Sequence, residues 1–106
     1  MPLPELGPDE RRAALDKAAE ARRIRADLKD RLKLRAVGLG RVFELADHED
    51  AVAKMKVAEV LGAMPSYGPV KARKLMERLD IAPNRRVRGL GVRQRAALLE
   101  EFEGAA

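Results

Sequence analysis

The segment Met64-Pro65-Ser66-Tyr67-Gly68-Pro69-Val70-Lys71 is the most informative part of the chain, because it indicates a tight turn between two helices. An apolar segment precedes it, and residues 71–78 after it contain four basic side chains. Gly68 allows the backbone to come close to a ligand. The first turn of the second helix presents amide N–H groups that have no acceptor within the helix, and such groups bind phosphate. The pattern predicts a helical hairpin with an anion site at its turn.

The remainder of the chain also favours helices. Its 106 residues include 22 Lys and Arg, 17 Asp and Glu and only three aromatic side chains, with a net charge of +5. Absence of cysteine excludes disulfides, thiolate nucleophiles and thiolate zinc sites. The single histidine, His48, stands among acidic residues, which indicates an exposed turn rather than a catalytic base. We predict one small all-α protein with no catalytic residue, metal or cofactor.

The helices can be placed from their apolar periodicity. Residues 9–35 contain no Gly or Pro and predict a long first helix of about 40 Å. Short helices are predicted at residues 41–45, 50–55 and 56–63, and a closing helix at 94–102. The first helix, within residues 1–36, is expected to form one folding unit with a compact bundle of short helices at residues 37–106. Its apolar stripe is expected to consist of Ala14, Ala18, Ala21, Ile24, Leu28 and Leu32.

One flank of the first helix is basic. Four of its side chains lie beside the apolar stripe at spacings that align them: Arg22, Arg25, Lys29 and Lys33. The flank has two interpretations. It is either a solvated face stabilised by i,i+4 ion pairs, or a second surface that follows a phosphate backbone.

A second basic segment follows the hairpin. Five arginines occur within residues 85–95, with no acid among them. We expect Val87, Leu90 and Val92 to anchor this segment to the core while the arginines face solvent. The Gly89-Leu90-Gly91 run lacks a preceding strand and a third glycine, which argues against a dinucleotide-binding loop.

The hairpin resembles the turn of helix-hairpin-helix and helix-two-turns-helix DNA-binding motifs. These motifs usually contain Pro-Gly-apolar-Gly, followed by a helix with a small residue in its first turn. Ser66 stands in place of the first glycine, and five residues match this form: Pro65, Gly68, Val70, Lys71 and Ala72. The Ser66 hydroxyl is still able to donate a hydrogen bond to a phosphate.

The whole chain resembles the actinobacterial integration host factor family, most weakly at residues 1–10 and 37–53. The similarity lies in residues 19–33, in Lys54-Met55-Lys56-Val57, in the hairpin and in residues 81–95. It implies a helix-two-turns-helix module like that of a small-subunit ribosomal protein. It also implies two DNA-binding segments. The hairpin is formed by Met64, Pro65, Ser66, Tyr67, Gly68, Pro69, Val70 and Lys71. The segment called the lid is formed by Ala82, Pro83, Asn84, Arg85, Arg86, Val87, Arg88, Gly89, Leu90, Gly91, Val92, Arg93 and Gln94.

These observations predict a nucleoid-associated architectural protein that binds double-stranded DNA with little sequence specificity and bends or bridges it. We expect a cytoplasmic, nucleoid location, no membrane or small-molecule partner, and a monomer that can assemble along DNA. The main alternative is an RNA-binding or ribosome-associated protein, because a ribosomal protein contains a similar module. An enzyme is a third alternative, although such modules accompany separate catalytic domains for which this chain has no room.

Overall fold

The computed structural model describes residues 7–103, and these residues form an all-α fold. No β-strand occurs among them, and one 3-10 helix, Val87–Gly89, lies between the last two α-helices. The fold class expected from the sequence is therefore confirmed. The α-helices are α1 Pro8–Lys33, α2 Leu39–Ala46, α3 Asp50–Ala53, α4 Val57–Gly62, α5 Gly68–Arg78 and α6 Val92–Glu103.

The first helix ends two residues earlier than predicted. Acidic Asp9 and Glu10 occupy its first turn, where the helix dipole favours negative charge. At its other end Arg35 adopts a left-handed conformation with φ 61°. The amide of Ala36 then donates to the carbonyl of Arg31 at 2.8 Å, which closes the last turn. A left-handed arginine therefore terminates α1.

The N-terminal half of α1 projects from the remainder of the protein. Leu28 and Leu32 are buried and Ile24 is half-buried, whereas Ala14 and Ala18 are exposed. The apolar stripe is therefore buried only toward the C-terminal end of the helix. A helix of 26 residues is about 39 Å long. It exceeds the two shorter dimensions of the protein, 32 and 25 Å, so the small bundle covers only one end.

One aliphatic core joins the described helices. It includes Leu32 of α1, Leu61 of α4 and Leu98 of α6, all fully buried. Side chains of α2, α3 and α5 complete the same cluster, with Phe43 as its one buried aromatic residue among those described. No polar or charged residue in the described part of the chain is buried. The core thus depends on hydrophobic burial alone.

The closing helix α6 begins at Val92, two residues before the predicted start. The amide of Gly91 donates to Oε1 of Gln94 at 3.0 Å, and the amide of Arg95 donates to the carbonyl of Gly91 at 3.0 Å. These bonds start the helix within the segment that the sequence suggested to be a loop. Between residues 7 and 103, no helix is long and apolar enough to span a bilayer.

Candidate nucleic-acid interface

Two left-handed residues form the turn of the hairpin. Ser66 has φ 61° and Gly68 has φ 76°. The amide of Tyr67, between them, donates to the carbonyl of Met64 at 3.1 Å. These conformations reverse the chain between α4 and α5 within a few residues. Ser66, where related motifs have glycine, adopts a backbone conformation that glycine tolerates better than any other residue.

The second helix of the hairpin starts without a side-chain cap. No side chain bonds to the first turn of α5, which begins Gly68-Pro69-Val70. Helix geometry leaves the amides of Gly68 and Val70 without acceptors in the helix. The ammonium of Lys71 lies 3.4 Å from the carbonyl oxygen of Ser66 and stays exposed. Free amides and an exposed ammonium at one turn form a surface suited to phosphate.

Glycine at residue 68 suits the left-handed backbone and is not required by neighbouring atoms. A Cβ atom added there would meet no heavy atom within 4 Å. The backbone at this turn therefore faces open space, and a ligand can approach it directly. A side chain at residue 68 would extend into this space and would also strain the left-handed backbone.

The closing helix α6 contacts both the hairpin turn and α5. The rings of Tyr67 and Phe102 lie 4.8 Å apart, and Arg78 of α5 forms an ion pair of 2.7 Å with Glu101 of α6. Burial raises the pKa of the Tyr67 hydroxyl, with a further contribution from Glu101 and opposition from Arg78. These contacts connect the conformation of the turn to the end of α6.

Backbone hydrogen bonds fasten the lid to the start of α4. The amide of Val57 donates to the carbonyl of Arg85 at 2.9 Å, and that of Val87 donates to the carbonyl of Met55 at 2.9 Å. They form an isolated antiparallel bridge between Lys56 and Arg86. The Arg86 guanidinium also donates to the carbonyl of Lys54. The lid is thus joined to α4 by main-chain and side-chain bonds together.

The arginines of the lid remain exposed, as expected: Arg85, Arg86, Arg88 and Arg93. Nη1 of Arg85 lies 3.4 Å from the carbonyl oxygen of Gly89. A Cβ atom on Gly89 would come within 3.0 Å of Cδ of Arg85, so this glycine allows the arginine to lie across the lid.

The anchors of the lid differ in part from those expected. Val87 and Leu90 are buried, but Val92 is 85% exposed, so its predicted anchoring role is wrong. Val92 is the first residue of α6, and the start of that helix directs it away from the core. Arg95 lies apart from the exposed arginines, 5.2 Å from the centre of the Phe43 ring and 3.6 Å from Asp47.

Hairpin and lid lie at opposite ends of α4. The carbonyl of Arg85 accepts from the amide of Val57, its first residue, and the turn that contains Ser66 follows its last. Six helical residues span about 9 Å, a distance comparable with the width of a DNA groove. The fold therefore places two segments that are distant in sequence at the two ends of one short helix.

The basic flank of α1 divides into paired and unpaired positions. Nζ of Lys29 lies 2.9 Å from Oε1 of Glu59 on α4, an acid that the helix pattern alone did not reveal. Lys33 lines a groove of about 410 Å³ together with Pro69 of the hairpin. Arg22 is exposed, and half-buried Arg25 lies beside α3. The end of the flank is thus continuous with the hairpin surface.

Three further basic residues lie near these segments, and no role was predicted for them. Arg35 lines a groove with Met64 and Pro65. Lys54 and Lys56 adjoin the lid through the bridge to Arg86. Only contacts made in the folded chain distinguish these residues from other exposed cations.

The acid Asp50 forms an ion pair of 2.8 Å with Lys54, and the charge of the lid's Arg88 also acts on it. The pKa of Asp50 is lowered, first by the hydrogen bond and charge of Lys54 and then by the charges of Arg88 and Lys17. Asp50 is therefore neutralised locally by cations. Among residues 7–103, no cluster of His, Cys, Asp or Glu could hold a metal ion.

Comparison with known proteins identifies the family of the chain. The family described as S13-like H2TH domain matches residues 32–102. The integration host factor of Mycobacterium tuberculosis is 53% identical over 105 residues, covering 99% of this chain and 100% of that protein. The chain belongs to the actinobacterial integration host factor family. The integration host factor of Streptomyces coelicolor is 49% identical over 102 residues, covering 96% of this chain and 95% of that protein.

A solved structure supports the membership of this family. It is described as sIHF bound to an 8bp palindromic DNA and matches with a TM-score of 0.80 at 47% identity, covering 82% of this chain and 98% of that one. The S13-like match begins at residue 32 and includes both hairpin and lid. It leaves most of α1 outside, whereas the integration host factor relatives extend over that helix as well.

Proposed function

We propose that this integration host factor family member binds double-stranded DNA mainly through the phosphate backbone, with little sequence specificity. The observation that supports the proposal best is the position of the hairpin and the lid at the two ends of α4. Both segments present exposed cations, and the hairpin adds uncapped amides. The DNA-bound structure, which shares 47% of its sequence with this chain, supports the same role.

The hairpin would bind one phosphate of the backbone. The amides of Gly68 and Val70 point out of the first turn of α5, and the hydroxyl of Ser66 and the ammonium of Lys71 lie beside them. All of these groups are hydrogen-bond donors, and none reads a base edge. Contacts of this kind orient a duplex without selecting its sequence.

The lid would add charge next to the hairpin. Arg88 and Arg93 have no hydrogen bond or ion pair in the described structure, and Arg85 and Arg86 use only part of their donor capacity. Arginine is favoured in a narrow minor groove, where the electrostatic potential is strongly negative. Insertion there, with the hairpin on a neighbouring phosphate, would bend the duplex toward its major groove, away from the lid.

The flank of α1 provides a further DNA surface in this proposal. Lys33 extends the hairpin surface, and Arg22 lies farther along the projecting helix. A duplex that follows the hairpin could continue along this flank, or a second duplex could be bridged. Such binding would affect several processes in the nucleoid of the cytoplasm without catalysis by this chain. These processes are compaction, supercoiling, site-specific recombination and transcription.

A mobility-shift titration across a salt series tests the proposal. The proposal predicts a slope of log affinity against log salt of roughly −4.5 if five phosphates are neutralised, by Lys71, Arg85, Arg86, Arg88 and Arg93. Arg88→Gln combined with Arg93→Gln should make the slope shallower by nearly 2, about 0.9 for each phosphate. The control is Arg95→Gln, since Arg95 contacts Phe43 and Asp47 instead. A selected duplex that binds about a thousandfold more tightly than random DNA would contradict low specificity.

One alternative has a specific observation in its favour. The S13-like description of the family match points to a module shared with a ribosomal protein, which favours structured RNA as a ligand. Competition between a duplex DNA and a folded RNA of equal length distinguishes the two. Preferential displacement of the DNA by RNA would favour the alternative.

A further inference from the structure

An apolar side chain stands fully in solvent within the most basic segment of the protein. Val92 is 85% exposed, more than any other large apolar residue that the structure describes. It lies among the arginines of residues 85–95, a segment without acids. A valine at this position buries almost nothing in the free protein. Its place in the sequence is therefore not explained by the fold.

The backbone beneath Val92 is firmly held. Gly91 is bonded to Gln94 and Arg95 at 3.0 Å, and the preceding Leu90 is buried. Nε2 of Gln94 also lies 3.4 Å from the carbonyl oxygen of Asp80, which connects the start of α6 to the end of α5. A β-branched side chain has few rotamers. Val92 therefore presents a conformationally restricted apolar side chain on a hydrogen-bonded backbone.

The charge around Val92 identifies the kind of surface it fits. Arg88 and Arg93 are exposed on either side of it in sequence. Such a surface attracts a polyanion, and the apolar parts of a duplex are its sugars and the faces of its bases. Apolar side chains in minor-groove proteins insert between base pairs, unstack them partly and kink the DNA. Glycine at 91 leaves the adjacent backbone uncovered, since a Cβ there would meet only Gln94, at 3.9 Å.

We infer that Val92 is a wedge that enters the minor groove of bound DNA and presses on one base step, so that the duplex bends toward its major groove. This inference rests on the proposed function, because it requires a bound duplex. It adds a cause of bending that is separate from charge. The arginines hold the lid on the DNA, whereas Val92 opens a base step.

The experiment uses the full chain and two DNA reporters. A short duplex labelled at both ends reports bending by energy transfer, and 2-aminopurine placed at successive steps reports unstacking by its fluorescence. Both signals are read at saturating protein, so that a difference in affinity does not alter them. The variants are Val92→Ala, Val92→Thr and Val92→Ile, with Leu15→Ala as the matched control. Leu15 is 69% exposed on α1, outside hairpin and lid.

Val92→Ala should lose most of the bending and the 2-aminopurine signal, and its affinity should fall about tenfold, the effect of two lost methyl contacts. Its salt slope should match the unmodified protein, because no charge is removed. Val92→Thr, which has the same shape but a hydroxyl, should behave like the alanine variant, and Val92→Ile should keep both signals. Thermal unfolding should be unchanged in all of them, because the side chain is exposed.

The outcomes separate the wedge from the proposed function. Bending and 2-aminopurine signals equal to those of the unmodified protein in Val92→Ala would overturn the wedge while leaving duplex binding intact. An equal loss of signal in Leu15→Ala would also overturn it, because the effect would not belong to the lid. If the unmodified protein fails to shift any duplex, the proposed function itself fails.

Discussion

Tyr67 and Phe102 form a tilted aromatic pair, with ring centres 4.8 Å apart and an angle of 56° between the ring planes. Edge-oriented pairs of this kind are more stable than face-to-face ones. Tyr67 lies in the hairpin turn between the left-handed Ser66 and Gly68, and Phe102 lies near the end of α6. The pair therefore connects the closing helix α6 directly to the turn at which a phosphate is proposed to bind.

Phe102→Leu should weaken DNA binding without unfolding the protein. The variant keeps an apolar side chain but loses the ring pair, which is worth about 0.5–1.5 kcal/mol. Urea unfolding should show a loss of about that size, and duplex affinity should fall severalfold because the turn is less well held. Leu99→Met, a volume-conserving change on the same helix, should alter neither quantity appreciably. Unchanged affinity in Phe102→Leu would show that the hairpin does not depend on α6.

The raised pKa of Tyr67 predicts a loss of stability at alkaline pH. Above the ordinary tyrosine pKa of about 10, the unfolded chain releases the Tyr67 proton while the folded protein retains it. Unfolding is then favoured as the pH rises further, whereas at lower pH the contribution of Tyr67 is constant. The free energy of unfolding should decline more steeply above about pH 10 in the unmodified protein than in Tyr67→Phe. If the free energy of unfolding depends on pH in the same way in the unmodified protein and in Tyr67→Phe, the pKa of Tyr67 is not raised.

Ser66→Gly should stabilise the protein. Serine at φ 61° is strained by its Cβ atom, and glycine removes that strain at the expense of more freedom in the unfolded chain. The expected gain is about 0.5–1 kcal/mol, read from urea unfolding. Ser66→Ala is the control, because it retains the Cβ and should show no gain. A glycine variant less stable than the alanine variant would mean that the Ser66 hydroxyl stabilises the turn.

Two substitutions at Gly68 separate strain from contact with DNA. Alanine and glutamate meet the same left-handed backbone, so both should lower stability by about 1 kcal/mol. Neither Cβ meets a neighbour within 4 Å, so helicity measured by circular dichroism should be retained in both. Gly68→Glu should abolish duplex binding, because it places a carboxylate where a phosphate is proposed to lie, whereas Gly68→Ala should keep most of it. Normal binding by a folded Gly68→Glu protein would move the DNA surface elsewhere.

Substitutions on the α1 flank should separate a DNA contact from a structural one. Arg22→Gln with Lys33→Gln should leave unfolding unchanged, since glutamine is a good helix former, and should reduce DNA compaction measured on single molecules. Lys29→Gln breaks the pair with Glu59 and should instead lower stability by at most about 1 kcal/mol, the range of partly exposed ion pairs. If compaction is equal in the double variant and the unmodified protein, the flank is merely solvated.

Much of the fold was predictable because it depends on local preferences. Uninterrupted helix formers in residues 9–35 and a proline and glycine at 65 and 68 are sufficient to indicate a long helix and a hairpin. Helix ends were predicted less well, because Arg35 and Gly91 end and begin helices through hydrogen bonds that no composition rule reveals. The division of the chain near residue 36 stays a prediction, and the burial of Leu28 and Leu32 in the common core supports one folding unit.

The helical content, the turn at residues 64–71 and the clustering of arginine in residues 85–95 can all be predicted from the chain alone. These properties follow from the residues next to each other in the chain. The folded structure is needed to show which basic groups share a surface. It paired Lys29 with Glu59, turned Arg95 toward Phe43 and left Val92 in solvent. The physical reason is that these contacts join residues far apart in sequence, and their geometry is set by packing around the common core.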